Sequence, residues 1–327
     1  MDLGLLIGQA VVNGLVIGML YLLMAVGFTL VFGVMRIVNF AHAEFYMLGA
    51  FLTYLFVTQL ELPFLPSVLL TFAAAVCFGW VVEWLVLKPF RHDELNGMIA
   101  TIGLAMILQN GALMLFGPDP HSMPSVVRGA TRWGDLIVPN SRLYVVVFSV
   151  AVLALLYVFL RFSRTGRALR AVVQDIEIAS IQGIRAKLIY PLGFGIGVGL
   201  AALAGGLMAP LFSVSPFIGA GPMLKAFIVV ILGGLGSIPG AALAGLLLGI
   251  TESVAGTFLS SSTADILIFA LLIGMLVVRP SGLLGRPEGR ACRPRRAPLR
   301  RLPRPPSRRL CPPTASRCRA WCGCCWR

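Results

Sequence analysis

The chain has 327 residues, of which 58% are hydrophobic and only 12% charged, with a mean hydropathy of +0.89. Soluble domains carry roughly 25% charged residues, so a water-soluble domain is excluded, as is a disordered chain, which needs low hydrophobicity. The apolar runs are continuous rather than alternating, which argues against a β-barrel and leaves an all-α, polytopic transmembrane helical bundle. The net charge of +14 is not spread over the chain: residues 286–327 hold 13 arginines and one acid, Glu288, which leaves residues 1–285 near +2. Six of the seven cysteines also lie in that last stretch. The composition therefore divides the chain into a membrane domain, 1–285, and an Arg/Pro/Cys-rich tail, 286–327. The tail lacks apolar periodicity and regular cysteine spacing. It reads as a disordered or frameshift-derived extension rather than a zinc or nucleic-acid site.

The gaps between charges locate the spans, because a crossing needs about 20 mainly apolar residues. In chain order the predicted segments are 9–33, 44–60, 64–87, 97–116, 143–161, 189–210, 222–236, 241–258 and 264–279. These make nine, and eight to ten crossings fit the same pattern. Segments 222–236 and 264–279 are short for a crossing. Asp2 stands where a signal peptide would be basic, and the first apolar stretch is too long for one, so no cleavable signal is expected. Two uncharged stretches, 3–35 and 188–224, exceed one straight span, since 33 helical residues extend about 50 Å. Gly27 and Gly33 in the first, and Gly205, Gly206, Pro210 and Pro216 in the second, predict broken helices. Transporter folds use such breaks where backbone lines a cavity.

Lys and Arg favour cytoplasmic loops. The segment 161–187 carries six of them, Arg161, Arg164, Arg167, Arg170, Arg185 and Lys187. Alternation then puts 88–94 and Arg279 inside and the proline-rich loop 117–142 outside. The N-terminus falls outside if the first segment crosses once, and inside if 36–42 crosses as irregular chain.

Within that basic loop, Leu169, Val172, Val173, Ile176 and Ala179 recur at helical spacing. They predict one short amphipathic helix capped by Gly183. One reading has it lying on the inner membrane face, held by its arginines. The other notes that Glu177, Ala179 and Gly183 fit Glu-x-Ala-x-x-x-Gly. This resembles the coupling motif of ATP-binding-cassette (ABC) importer permeases, except that Ile178 replaces the usual second alanine. Asn39, His42 and Glu44 follow the first segment as a polar cluster, either a gate or path lining or a polar turn meeting water at the membrane edge.

Gly233, Gly234, Gly236, Pro239 and Gly240 form a glycine-rich stretch with no preceding strand. Gly-Lys occurs nowhere in the chain, so a phosphate loop is excluded and a helix break with close packing is expected. Gly4-x-x-x-Gly8, Gly14-x-x-x-Gly18 and Gly245-x-x-x-Gly249 read as helix-packing signals. Of Glu83, Lys225, Glu252 and Asp265, most are placed near span ends, where water reaches them, which favours anchoring over a proton relay. The histidines have no metal-ligand spacing, and neither a metal nor a cofactor is expected.

Four stretches together resemble the permeases of branched-chain amino-acid ABC importers. They are Val34–Glu44, Phe162–Arg167 leading into the basic loop, Lys225–Phe227 with Val230–Gly240, and Arg279–Gly285. They occur in the family's order, cover about residues 10–285, and resemble the shorter of two paired permeases. The resemblance implies a multi-pass protein of the bacterial inner membrane that is not itself an enzyme. Its implied partners are a second permease, cytoplasmic ATP-binding subunits, an extracytoplasmic solute-binding protein and membrane lipid, with no nucleic acid. Glu177, Ala179 and Gly183 would sit at the ATPase docking surface. The implied solutes are leucine, isoleucine and valine, with a permease for amides, urea or another small solute, or a self-contained secondary transporter, as alternatives.

Overall fold

The computed structural model describes residues 3–91, 93–124, 129–133, 136–234, 236–279 and 282–284. The tail 286–327 lies outside the described residues. The elements in order are α1 (Leu3–Met35), α2 (His42–Thr58), α3 (Phe64–Val82) and α4 (Glu94–Phe116). A hairpin of β1 (Ala130–Trp133) and β2 (Leu136–Pro139) leads to α5 (Asn140–Phe162), α6 (Arg164–Gln174) and α7 (Ile176–Ile181). Then come α8 (Ala186–Met208), α9 (Ala220–Gly233), α10 (Ile238–Phe258) and α11 (Ser261–Val278). All nine predicted segments are helical. Six helices are long and apolar enough to cross a membrane: α1, α3 with its extension to Phe90, α4, α5, α8 and α10. The short ones are α2, α9 and α11, with 17, 14 and 18 residues.

α1 and α8 form the centre of the bundle, and most of their apolar surface is buried. α2 and α3 pack on α8, and α10 packs on α1. α4 and α5 lie at the periphery and turn apolar side chains such as Ile107, Leu115 and Leu155 outward, as lipid-facing helices do. Small residues let the central backbones touch. A Cβ on Gly18 would stand 2.9 Å from the Gly245 carbonyl oxygen, and one on Gly14 would stand 2.7 Å from Ile250 Cα. The glycine pairs of α1 and α10 therefore interlock, as small-residue motifs do between membrane helices. Gly4 has no such neighbour, with nothing within 4 Å of an added Cβ.

Two expectations are corrected here. α1 runs unbroken for 33 residues. Its Gly27 does not interrupt it, because that position is where α8 comes closest: an added Cβ would lie 2.7 Å from the Gly197 carbonyl oxygen. The helix keeps its own hydrogen bonds, and the missing side chain serves packing. The second long stretch does break, at 209–219, between α8 and α9. The basic loop holds two helices, not one. Asp175 takes an extended φ of −158° and its carboxylate accepts the Glu177 and Ile178 N–H groups at 2.9 and 3.0 Å, starting α7 afresh.

α1 and α8 are antiparallel, since Gly27 meets Gly197 while Val34 meets Gly193. The end of α1 and the start of α8 thus share one face of the bundle with α6. The start of α1 lies on the opposite face, so α1 runs from one face of the bundle to the other.

Candidate functional site

α1 stops at Arg36, whose φ of +57° turns the chain while its N–H still reaches the Phe32 carbonyl at 2.8 Å. The next residues do not continue outward. They climb back into the bundle beside α4, where the Phe40 N–H donates to Thr101 Oγ1 at 3.2 Å. Asn39 Oδ1 accepts the Ala41 N–H at 3.1 Å, a local side-chain turn that competes with helix. His42 then opens α2 against the middle of α1. Its Nε2 pairs with the Met24 carbonyl at 3.3 Å, and the Phe28 ring meets it edge-on with centroids 5.6 Å apart.

Met24 lies about 16 Å before the end of α1 at 1.5 Å per residue, and Gly27 abuts Gly197, half-way along α8. His42 therefore sits near the middle of the bundle rather than at its end. Asn39, His42 and Glu44 are all buried, at 2%, 0% and 9% exposure. Asn39 Nδ2, His42 Nδ1 and Glu44 Oε2 find no hydrogen-bond partner among the described residues. Buried polar atoms left unpaired are costly, and in membrane proteins such groups mark pathways.

On the basic face, α6 is bolted to the bundle and α7 stands away from it. Leu169 and Val172 are buried, and Leu169 reaches Gly193 of α8 while Val173 reaches Gly33 of α1. Of Glu177, Ala179 and Gly183, Ala179 faces inward at 3% exposure, whereas Glu177 is exposed. Ile178 and Ile181 are also exposed, at 56% and 85%. Gly183 ends the segment with φ +83°. Its N–H donates to the Ser180 carbonyl at 3.0 Å, and the Ile184 N–H to the Ala179 carbonyl at 3.1 Å. This pair of bonds is the Schellman closure, which requires a left-handed residue at that position. Because Asp175 alone caps the start of α7, Asp175→Ala should cost the helix about 1 kcal/mol. Faster amide exchange over 176–181, with α6 unchanged, is the expected readout.

The glycine-rich stretch lies between two helices. α9 ends at Gly233, and Gly234 and Gly236 adopt φ of +95° and +85°. Ser237 Oγ accepts the Gly240 N–H at 3.2 Å, with Pro239 in the first turn of α10. Gly233 and Gly240 meet backbone to backbone. The chain beyond α11 folds onto this break: the Leu283 N–H donates to the Leu232 carbonyl at 2.8 Å and the Leu284 N–H to Gly233 at 3.2 Å. Two sequence motifs far apart in the chain thus complete one structure.

A family model described as branched-chain amino acid transport system / permease component matches residues 10–276. The chain belongs to this permease family. It is 37% identical over 295 residues to the high-affinity branched-chain amino acid transport system permease protein LivH of Escherichia coli K12, covering 86% of this chain and 96% of that one. The corresponding BraD protein of Pseudomonas aeruginosa is 36% identical with the same coverage. A probable LivH of Methanocaldococcus jannaschii is 27% identical, over 81% and 89% of the two chains. No solved structure matches the chain. The permease is thus a multi-pass inner-membrane protein of amino-acid transport.

The permease also holds charges that the sequence reading misplaced. Glu83 is fully buried, not anchored at a wet end. It lies in a π-helical turn, Glu83–Leu87, and accepts both Nε and Nη2 of Arg91, the former at 2.8 Å. The Arg91 guanidinium stacks 4.5 Å from the Tyr190 ring of α8. Lys225 of α9 pairs with Glu252 of α10 and lies 3.5 Å from Asp265 of α11. Tyr21 of α1 donates to the same Glu252 oxygen at 3.3 Å. Both clusters lie where hydropathy alone sees only interrupted apolar sequence. The spacing of Glu83 and Arg91, two helical turns apart, was the available signal. Among the described residues no group of His, Cys, Asp and Glu is placed to hold a metal ion.

Proposed function

We propose that this permease is one translocation subunit of a binding-protein-dependent ABC importer for branched-chain amino acids. It would pair with a second permease, receive solute from an extracytoplasmic binding protein, and be driven by separate cytoplasmic ATP-binding subunits. The transport domain spans about residues 1–285, and the tail beyond it has no part in transport. The observation that carries this reading is the pose of α7. It projects from α6, which packs on the end of α1 and the start of α8, with exposed Ile178 and Ile181 flanking an inward Ala179. Bare apolar side chains on a charged, water-facing loop fit a groove on a partner. Force applied there reaches α1 through α6, and α1 carries Met24 and Phe28, against which His42 of the cluster rests. That cluster lines the solute path in this reading, and its unpaired polar atoms serve a passing solute.

Gly183→Arg tests the coupling. The left-handed φ of Gly183 costs any L-residue roughly 1–2 kcal/mol, and the new side chain projects from the docking face. ATP-driven leucine uptake by the reconstituted importer should fall to background, with membrane insertion and yield unchanged. Uptake at the wild-type rate would count against docking at this loop.

A further inference from the structure

A second polar site lies on the face of the bundle opposite α6 and α7. It is a cavity of about 140 Å³ bounded by α1, the start of α5, the end of α10 and the chain leaving α8. Asn13, Arg142 and Ser253 give it three polar side chains, and Val16, Leu211 and Phe212 line it with apolar surface. The polar groups are held in place. Arg142 Nη1 donates to Asn13 Oδ1, and Ser253 Oγ donates to the Ala10 carbonyl at 2.7 Å. The Leu211 and Phe212 N–H groups both return to the Met208 carbonyl, at 2.8 and 3.1 Å, which fixes the apolar wall to the end of α8.

Arg142 meets no carboxylate within 4.0 Å among the described residues, unlike Arg91 and Lys225. Its guanidinium offers five N–H donors in a planar fork, and the Asn13 bond occupies one. A fork held this way at a partly enclosed cavity is matched by a carboxylate, which it can grip through two parallel bonds. The rest of the cavity selects by shape. A dry cavity of about 150 Å³ admits a ligand as large as benzene, so a branched four-carbon side chain fits against Val16, Leu211 and Phe212. One cation beside an apolar recess describes an aliphatic carboxylate, and the free lone pairs of Asn13 Oδ1 and Ser253 Oγ can accept from the ammonium that makes it an amino acid. Urea or an amide would leave the guanidinium without an anion.

We propose that this cavity is a binding subsite for an aliphatic amino acid on the extracytoplasmic side, with the carboxylate on Arg142 and the side chain against Phe212. The proposal rests on the reading of the chain as a branched-chain amino-acid permease. It adds a selectivity step that belongs to the permease itself rather than to the binding protein. Solute seated there would touch α1, α5, α10 and the break after α8 at once, so occupancy would be felt by the helices that must move.

The test is equilibrium binding of radiolabelled leucine to the permease–ATPase assembly in lipid nanodiscs, without the binding protein. Saturable binding is expected, with competition by valine and isoleucine and none by leucinamide, whose carboxylate is gone. Arg142→Gln removes a charge-assisted contact worth about 1.5–3 kcal/mol, so affinity should fall at least about tenfold. Phe212→Trp fills the recess without touching the Arg142–Asn13 pair and should weaken binding to a similar degree. This second variant guards against a folding defect in the first. Competition by leucinamide equal to leucine, wild-type affinity in both variants, or no leucine binding at all would overturn the subsite. ATP-driven leucine uptake by the complete importer is measured alongside. Intact uptake with any of those results removes the subsite alone, whereas absent uptake removes the transport reading on which it rests.

Discussion

Gly49→Leu is expected to prevent the protein from folding to a monodisperse species. Gly49 lies on α2 where that helix crosses α8, and an added Cβ would fall on the backbone of Ala202. One turn after Ala202, Gly205 of α8 occupies the reciprocal position against Tyr46 and Ala50. The contact is therefore backbone on backbone from both sides. Overpacking a core typically costs 1–3 kcal/mol when side chains can yield. Here only a displacement of whole helices makes room, so about 3 kcal/mol or more is expected, against a total stability of about 5–15 kcal/mol. Such a shift would also part Thr53 from Thr71, whose hydroxyls pair at 3.0 Å in the buried α2–α3 contact. The matched controls are Gly103→Leu and Gly111→Leu on α4, where an added Cβ meets nothing within 4 Å. They should purify with near wild-type yield and thermal midpoint. Equal behaviour of Gly49→Leu and the α4 controls in size-exclusion chromatography would contradict the crossing of α2 and α8.

The difference between those glycines explains what the sequence could and could not disclose. Hydropathy located the helix of every long apolar segment, because a span is set by a local run of apolar residues. The glycine pairs were also visible as packing signals, and Gly14, Gly18, Gly245 and Gly249 do pair across α1 and α10. Which glycines break a helix was not readable, since Gly27 looks the same whether it ends a helix or admits a neighbour. The outcome depends on Gly197, 170 residues away. The depth of Asn39, His42 and Glu44 was hidden for a related reason. Their position follows from the return of 36–41 into the bundle, which is fixed by Thr101 of α4 and Met24 of α1 rather than by neighbours in sequence. Gly183 was legible because a Schellman closure is local. Asp175 was missed as a helix start because the apolar period runs through it without a gap.

The same long-range dependence governs the ion cluster on α9, and it sets the second large effect. Lys225 should be among the costliest charges to remove, yet removing its partner as well should return most of the loss. Lys225 and Glu252 keep only 19% and 17% of their side-chain exposure, and Glu252 Oε2 has no hydrogen-bond partner among the described residues. Lys225→Met leaves that carboxylate with Tyr21 as its main support. Breaking a buried pair by deleting one member costs about 3–5 kcal/mol, because an uncompensated charge stays behind. Partial exposure places this case near the lower bound. Replacing both members by apolar residues is often neutral or stabilising, so Lys225→Met with Glu252→Leu should recover to within about 1 kcal/mol of the parent. Asp265 is half-exposed and 3.5 Å from the ammonium, so Asp265→Asn should cost no more than about 1 kcal/mol. The ordering of the three variants by thermal or denaturant midpoint carries the argument. It separates a charge that stabilises α9 by attraction from one retained for transport. If the double variant recovers stability and still transports poorly, the pair serves movement of α9, whose 14 residues are too few to span a bilayer unaided. If Lys225→Met alone costs less than 1 kcal/mol, water reaches the pair and its buried reading is wrong.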